Sequence, residues 1–216
     1  MAELPKKRRN NLDLARLARL LDPAEEEFAA HGFSGASLNH ILSQAGMSKG
    51  QAYYYIAGKA DLYEAVIERA LQRLITQLDF SFSKSLNAEQ FWRRIGEFFA
   101  RVHQVLVDNT TLAALACSLY ENETTRAIFP NKLIQERFVE LIKQGRSIGA
   151  IRCDLPESLF MNMLFAMAIE ADRWFANHWQ QLGESESTRL NRQVIAVFRA
   201  VAAPPDASMT DHRDIG

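Results

Sequence analysis

The chain has 216 residues, 48% of them hydrophobic, with 25 Lys or Arg against 26 Asp or Glu for a net charge of −1. This is enough apolar material for one large or two modest cores. The charged, non-apolar start and the lack of any run near about eighteen apolar residues argue against secretion and membrane spanning, so a cytoplasmic protein is expected.

Six prolines and ten glycines leave long uninterrupted tracts, which suits an all-α protein. Cys117 and Cys153 lie too far apart in sequence for a metal cluster or a disulfide framework and are expected to be reduced and packed. Charge is unevenly spread: residues 1–19 hold six Lys or Arg and two acids, whereas residues 61–216 hold 17 basic and 20 acidic residues. A basic end on a near-neutral body fits electrostatic contact with nucleic acid confined to that end. Residues 1–11, with Lys6, Lys7, Arg8 and Arg9, are expected to be a flexible arm for the DNA backbone or minor groove, or a solvated terminus.

In chain order, Asn11 to Leu21 is amphipathic through Leu14, Leu17 and Leu21. Asp22-Pro23-Ala24-Glu25 has the pattern of a cap, a proline at the first helical position and an acid two residues later, which favours a new helix start there, with a kink in one continuous helix as the alternative. That helix, containing Phe28, should stop at His31-Gly32, with Phe33 packing back as the chain turns toward Ser37.

The stretch Ser37 to Lys59 reads as two short helices joined by a tight turn. Ser37 can cap the first, whose apolar side is Leu38, Ile41, Leu42 and Ala45, and Gly46 can end it in a left-handed conformation. Ser48-Lys49-Gly50-Gln51 has capping-box spacing and restarts the chain as a helix to Tyr55. This is the geometry of a helix-turn-helix, whose second helix enters a major groove. Met47, Ala52 and Ile56 suit its buried side, leaving Lys49, Gly50, Gln51 and some of Tyr53, Tyr54 and Tyr55 outward. Gly50 would let the backbone approach a duplex, and the Gln51 amide can pair with adenine. Tyrosine hydroxyls and the Lys59 ammonium suit phosphates. Read from spacing alone, the same stretch also fits an ordinary helical joint with partly buried tyrosines.

Beyond it, Lys59 to Leu78 reads as a longer helix with a broad apolar stripe. A helix from Asn87 to Asp108, a short buried one from Leu112 to Tyr120, a loose one from Thr124 and an amphipathic one from Lys132 to Gly145 should follow. Gly149 to Pro156 is a loop into a long helix, Pro156 to Gln181, almost wholly apolar from Leu159 to Ile169, and a last helix runs from Ser187 to Ala202. One greasy face suffices for a surface helix, so that apolar centre must be covered on more than one side.

The string Ala45, Gly46, Met47, Ser48, Gly50, Tyr53, Tyr55, Lys59 and Leu62, with Leu20, Leu21, Ala24, Phe28, Gly32 and Phe33 upstream, resembles the TetR family of bacterial transcriptional regulators. Gly149 to Pro156 extends the likeness beyond the head. The resemblance implies base or groove contact for Gln51 and Tyr54, and phosphate contact for Tyr53, Tyr55 and Lys59. With the caps Ser37 and Ser48 and the exposed Lys49 and Gly50, these make the candidate DNA-binding set. Gln51 stands where the family usually has threonine and Ile56 where it has phenylalanine, and Pro23 falls inside the usual first helix.

By the same resemblance the divisions are a basic arm at 1–11, a helix-turn-helix domain at 12–58, a helical effector-binding and dimerisation domain at 59–203 and a disordered tail at 204–216. A pocket for a mostly apolar or aromatic effector is implied, with Phe99, Val102, His103, Leu106, Tyr120, Met163, Met167, Glu170 and Trp174 as candidate walls. For each of these, core packing or plain surface charge is the competing reading. The last two helices would form a homodimer that addresses a palindromic double-stranded DNA operator. The implied function is a repressor released by a small molecule.

The five histidines show no metal-ligand pair, and no phosphate-binding loop is present. No enzyme activity, metal or cofactor is therefore expected. The competing class is a helical protein-interaction or small-molecule-binding protein that does not bind DNA.

Overall fold

The computed structural model describes residues 11–78, 87–128 and 132–205. The arm at 1–10 and the tail beyond 205 lie outside the described residues. Among the described residues the chain forms ten helices and no strand: α1 (Asn11–Gly35), α2 (Leu38–Gln44), α3 (Lys49–Ala52), α4 (Lys59–Gln77), α5 (Ala88–Asp108), α6 (Thr110–Ser118), α7 (Glu123–Ile128), α8 (Lys132–Ser147), α9 (Glu157–His178) and α10 (Glu184–Ala202).

Two compact units result. The described residues up to Arg73, with Asn109 to Ile128, form the first; Leu74 to Asp108 and the described residues from Lys132 form the second. Helices α6 and α7 therefore belong to the same unit as the head, and α6 packs along α1.

The predicted helix start at Pro23 does not occur. Helix α1 runs through Pro23, and the break in its backbone lies at Gly32, with φ 65 and ψ −178. A proline inside a helix removes one amide donor and crowds the preceding turn, but here tertiary packing outweighs that cost. Leu20 and Ala24 are fully buried on either side of it. Arg69 of α4 grips Asp22 and Glu25 at 2.6 Å each, and Arg73 also reaches Glu25. The predicted termination at His31-Gly32 holds at Gly32.

At the centre of the first unit Phe28, Phe33 and Tyr63 form a ring cluster, with Tyr63 edge-on to the other two at 5.0 and 5.2 Å. Tyr63 is fully buried, and its hydroxyl donates to Ser118 Oγ at 2.7 Å, which donates onward to the Leu115 carbonyl at 2.7 Å. Burial pushes the Tyr63 phenol up to about 12.

The second unit packs α5, α8, α9 and α10 around Phe91, Trp92, Ile95, Ile142, Ile151, Phe160 and Leu164. The loop after α8 is pinned there. Gly145 O accepts Ala150 N at 2.8 Å and Ile151 N at 3.2 Å, Trp92 Nε1 donates to Ala150 O at 3.3 Å, and Arg152 N donates to Ala202 O at 2.8 Å. Helix α9 is not buried all round: Phe160 and Leu164 are covered, but Leu159 is 51% and Met163 42% exposed. Cys117 is half-buried, and Cys153, expected to be packed, is exposed on the loop before α9.

Candidate nucleic-acid interface

Local caps set the two helices of the motif. Ser37 Oγ accepts the His40 amide at 3.3 Å to start α2. The buried Glu27 carboxylate accepts Ser37 N at 2.7 Å and lies 2.7 Å from His40 Nδ1. The Ser37 amide holds the Glu27 carboxyl below its ordinary value, and the bond and charge of His40 add to this against the opposing effect of burial.

At the other end of α2, Gly46 takes φ 61, and the amides of Gly46 and Met47 reach back to Ser43 O and Leu42 O. Arg19 of α1 donates to the adjoining Ala45 carbonyl at 3.3 Å. These bonds satisfy carbonyls that a helix end would otherwise leave open.

Helix α3 starts with a reciprocal capping box. Gln51 N donates to Ser48 Oγ at 3.3 Å and Ser48 N donates to Gln51 Oε1 at 2.9 Å. The α-helical part ends at Ala52 rather than at the predicted Tyr55, because the Tyr54 and Tyr55 amides bond three residues back and tighten the turn. Ala52 and Ile56 are buried as expected, while Met47 is half-buried rather than inside.

The outer side of this turn carries the candidate DNA-contact set. Ser48, Lys49, Gly50 and Gln51 are exposed, as are Tyr53 at 53% and Tyr54 at 61%, and Tyr55 is half-buried with its ring edge-on to Tyr54 at 5.1 Å. A Cβ added at Gly50 would meet nothing within 4 Å. Lys59, at the first position of α4, donates to the Ser34 carbonyl at 3.2 Å and lies 5.0 Å over the Phe33 ring. One half of the Gln51 amide is thus engaged by Ser48, so bidentate pairing with a base requires that bond to open.

The effector candidates are placed differently. Tyr120 is buried in the first unit, whereas Phe99, Val102, His103, Leu106, Met163, Met167, Glu170 and Trp174 lie on α5 and α9 of the second. Phe99 is 43% and Trp174 42% exposed. Met167 packs against the core, Glu170 pairs with Arg173, and Trp174 stacks on His178 at 4.2 Å. His103 faces Trp179 at 5.5 Å. The sequence reading missed Glu121, which binds the turn beside Lys59; the only local hint was Gly32, whose missing Cβ leaves room for it.

A capped helix-turn-helix with a polar, cation-bearing outer face on an all-helical chain defines a DNA-binding protein of bacterial regulator type. Residues 20–66 match the family described as bacterial regulatory proteins, tetR family. Through this head the chain is similar to TetR-family transcriptional regulators. It is 25% identical over 159 residues to the uncharacterized HTH-type transcriptional regulator YfiR of Bacillus subtilis, covering 68% of this chain and 76% of that one. The fold is similar to that of SmeT, the repressor of a Stenotrophomonas maltophilia multidrug efflux pump, with TM-score 0.64, 18% identity, and 88% of this chain and 91% of that one covered. It is also similar to FadR of Bacillus subtilis in complex with stearoyl-CoA, with TM-score 0.62, 18% identity, and 85% and 98% covered.

Proposed function

We propose that this regulator is a homodimeric repressor that holds a palindromic operator through α3 and leaves it when a small, mostly apolar molecule binds the second unit. The observation that carries the DNA part is the outer face of α3, where Lys49, Gly50, Gln51, Tyr53 and Tyr54 are exposed over a buried Ala52 and Ile56. Lys59 and the tyrosine hydroxyls hold phosphates and set register, and Gln51 and Tyr54 reach the groove. Ser37 and Ser48 fix the starts of the two helices that do this.

Two-fold symmetry supports the operator form. Leu159, Met163, Trp174 and Val197, at 42 to 55% exposure on α9 and α10, are large apolar side chains that a second copy would cover. Two heads related in this way address major grooves about 34 to 36 Å apart.

The effector reading rests on the residue types of Phe99, Val102, His103 and Leu106 of α5 and of Met167 of α9, which would supply soft apolar walls with one imidazole to orient a guest. SmeT and FadR show what similar folds accompany, a multidrug pump and an acyl-CoA. Here the chemistry proposed follows from the side chains alone, an apolar or aromatic body with few polar groups.

Selection of bound duplexes from a random library tests the whole reading. A recovered inverted repeat with half-sites about one helical turn apart is the expected result. Recovery of no enriched sequence, together with no affinity at low salt, overturns it and leaves a helical interaction protein.

A further inference from the structure

We propose that Glu121 is the positioning residue for the Lys59 phosphate contact: the corner between α6 and α7 holds the turn that ends α1, and that turn holds Lys59 in place. The proposal rests on the DNA-binding reading above and assigns part of it to a residue far in sequence from the helix-turn-helix.

The corner is rigidly made. After α6 the amides of Leu119, Tyr120 and Glu121 each bond three residues back, at 3.3 Å. Asn122 then starts α7: its Oδ1 accepts Thr125 N at 3.1 Å, its amide donates to Thr125 Oγ1 at 3.1 Å, and Thr125 is fully buried. Ser118, one turn earlier, carries the Tyr63 hydroxyl.

From this corner the Glu121 carboxylate reaches across 87 and 88 residues of sequence to accept Phe33 N at 2.6 Å and Ser34 N at 2.9 Å. Asn122 Nδ2 adds a bond to Ser34 Oγ at 3.1 Å. Gly32 has φ +65, and a Cβ there would lie 2.8 Å from Glu121 Oε2. The turn is therefore shaped to admit the carboxylate.

Lys59 is tied to the same two residues, through its bond to Ser34 O and its place over the Phe33 ring. A dipeptide is thus strung between a carboxylate on its amide side and an ammonium on its carbonyl side. Partial desolvation pushes the Glu121 carboxyl up, but the bonds from Ser34 and Phe33 and the Lys59 charge outweigh this, and the group stays ionised well below neutral pH. If the carboxylate is lost, the turn is free to move, and Lys59 loses the platform that aims it.

Simple electrostatics and this proposal predict opposite signs for Glu121→Gln. Removing an acid near a DNA-binding surface by itself tightens binding. The proposal instead gives affinity weaker by roughly threefold to tenfold, and a plot of log K against log salt shallower by about one phosphate contact per head. A residue that merely stabilises the fold lowers Tm and leaves that slope unchanged.

The experiment measures duplex affinity of the full chain across salt concentrations for wild type, Glu121→Gln, Lys59→Met and the double variant, using a duplex selected from a random library by the wild type. Far-UV circular dichroism and amide exchange at Phe33 and Ser34 accompany it. Expected are faster exchange at those two amides in Glu121→Gln with helix content retained, a reduced slope in both single variants, and no further reduction in the double variant. Unchanged exchange, unchanged or tighter binding, or additive slope losses overturn the proposal while leaving the regulator reading intact. A wild type that binds no duplex overturns both. Should Glu121→Gln fail to fold, Glu121→Asp carries the same test, and a wild-type slope in a folded Glu121→Asp with fast exchange at Phe33 and Ser34 counts against the proposal.

Discussion

Gln51 and Ser48 cap one another: Gln51 Oε1 accepts the Ser48 amide at 2.9 Å while the Gln51 backbone amide donates to Ser48 Oγ at 3.3 Å. The side chain proposed to meet a base therefore also starts the helix that carries it. Glu at the same position would keep the box and favour the positive helix end, so Gln51→Glu should leave Tm unchanged or raised within about 1 kcal/mol of helix stabilisation. The same change puts a carboxylate at the groove, and specific DNA affinity should fall at least about tenfold in a fluorescence anisotropy titration. Equal affinity would remove Gln51 from the contact set.

Gly50 separates fold from function in a second way. A Cβ there meets nothing within the chain, and replacing a helical glycine by alanine stabilises by up to about 1 kcal/mol. Gly50→Ala is therefore expected to raise Tm slightly and yet weaken operator binding, since the added methyl sits on the face proposed to approach the duplex. Calorimetry and anisotropy on the same sample check both halves; a variant that binds DNA as the parent does shows that the backbone stays clear of the groove.

Alkaline pH probes the Tyr63–Ser118 bond. The Tyr63 phenol is raised from 10.0 to about 12, chiefly by burial, so the folded state favours the neutral form. The stability this gives is complete below the unfolded value near pH 10 and is lost as pH rises through about 12. Urea midpoints of the wild type should fall in that window, and those of Tyr63→Phe should fall less. Near neutral pH Tyr63→Phe should cost about 1 kcal/mol, the usual net worth of one hydrogen bond, because Ser118 keeps its bond to Leu115 O.

Local chemistry made much of this legible in the sequence. The caps at Ser37 and Ser48, the stop at Gly46 and the burial of Ala52 and Ile56 all follow from residue type and spacing, and the structure has each of them. What failed was long-range. Pro23 reads as a helix start until Leu20 and Ala24 are seen fully buried around it with Arg69 and Arg73 gripping its neighbours. Glu121 looks like spacer after an apolar helix, and nothing within ten residues of it suggests that its partners are the amides at 33 and 34. Helical periodicity likewise does not distinguish a cavity wall from an outer face, and Trp174 is 42% exposed.

Gly145 is the most closely packed of the described glycines in the second unit. A Cβ there would lie 2.5 Å from Ile151 Cδ1 and 2.8 Å from Phe91 Cζ, and both neighbours are buried. Gly145 O also anchors the loop through Ala150 and Ile151, so the loop has little room to retreat. Gly145→Ala is expected to lose about 1–3 kcal/mol by overpacking despite the better helix propensity of alanine. A Tm equal to or above that of the parent would mean that Ile151 repacks freely.

The exposed apolar side chains of α9 and α10 test the assembly. Leu159 is 51% and Val197 55% exposed, so a charge at either site costs a single chain little, and surface changes of this kind usually stay within about 0.5 kcal/mol. In a dimer that covers them, the same charge is buried without a partner, which strongly disfavours association. Leu159→Glu and Val197→Glu are therefore expected to sediment as folded monomers where the parent sediments as a dimer. Since two linked heads gain affinity that one head lacks, the monomers should also bind a single half-site and a full palindrome about equally. Variants that remain dimeric would place the subunit contact elsewhere, and a parent that is monomeric at micromolar concentration would overturn the dimer.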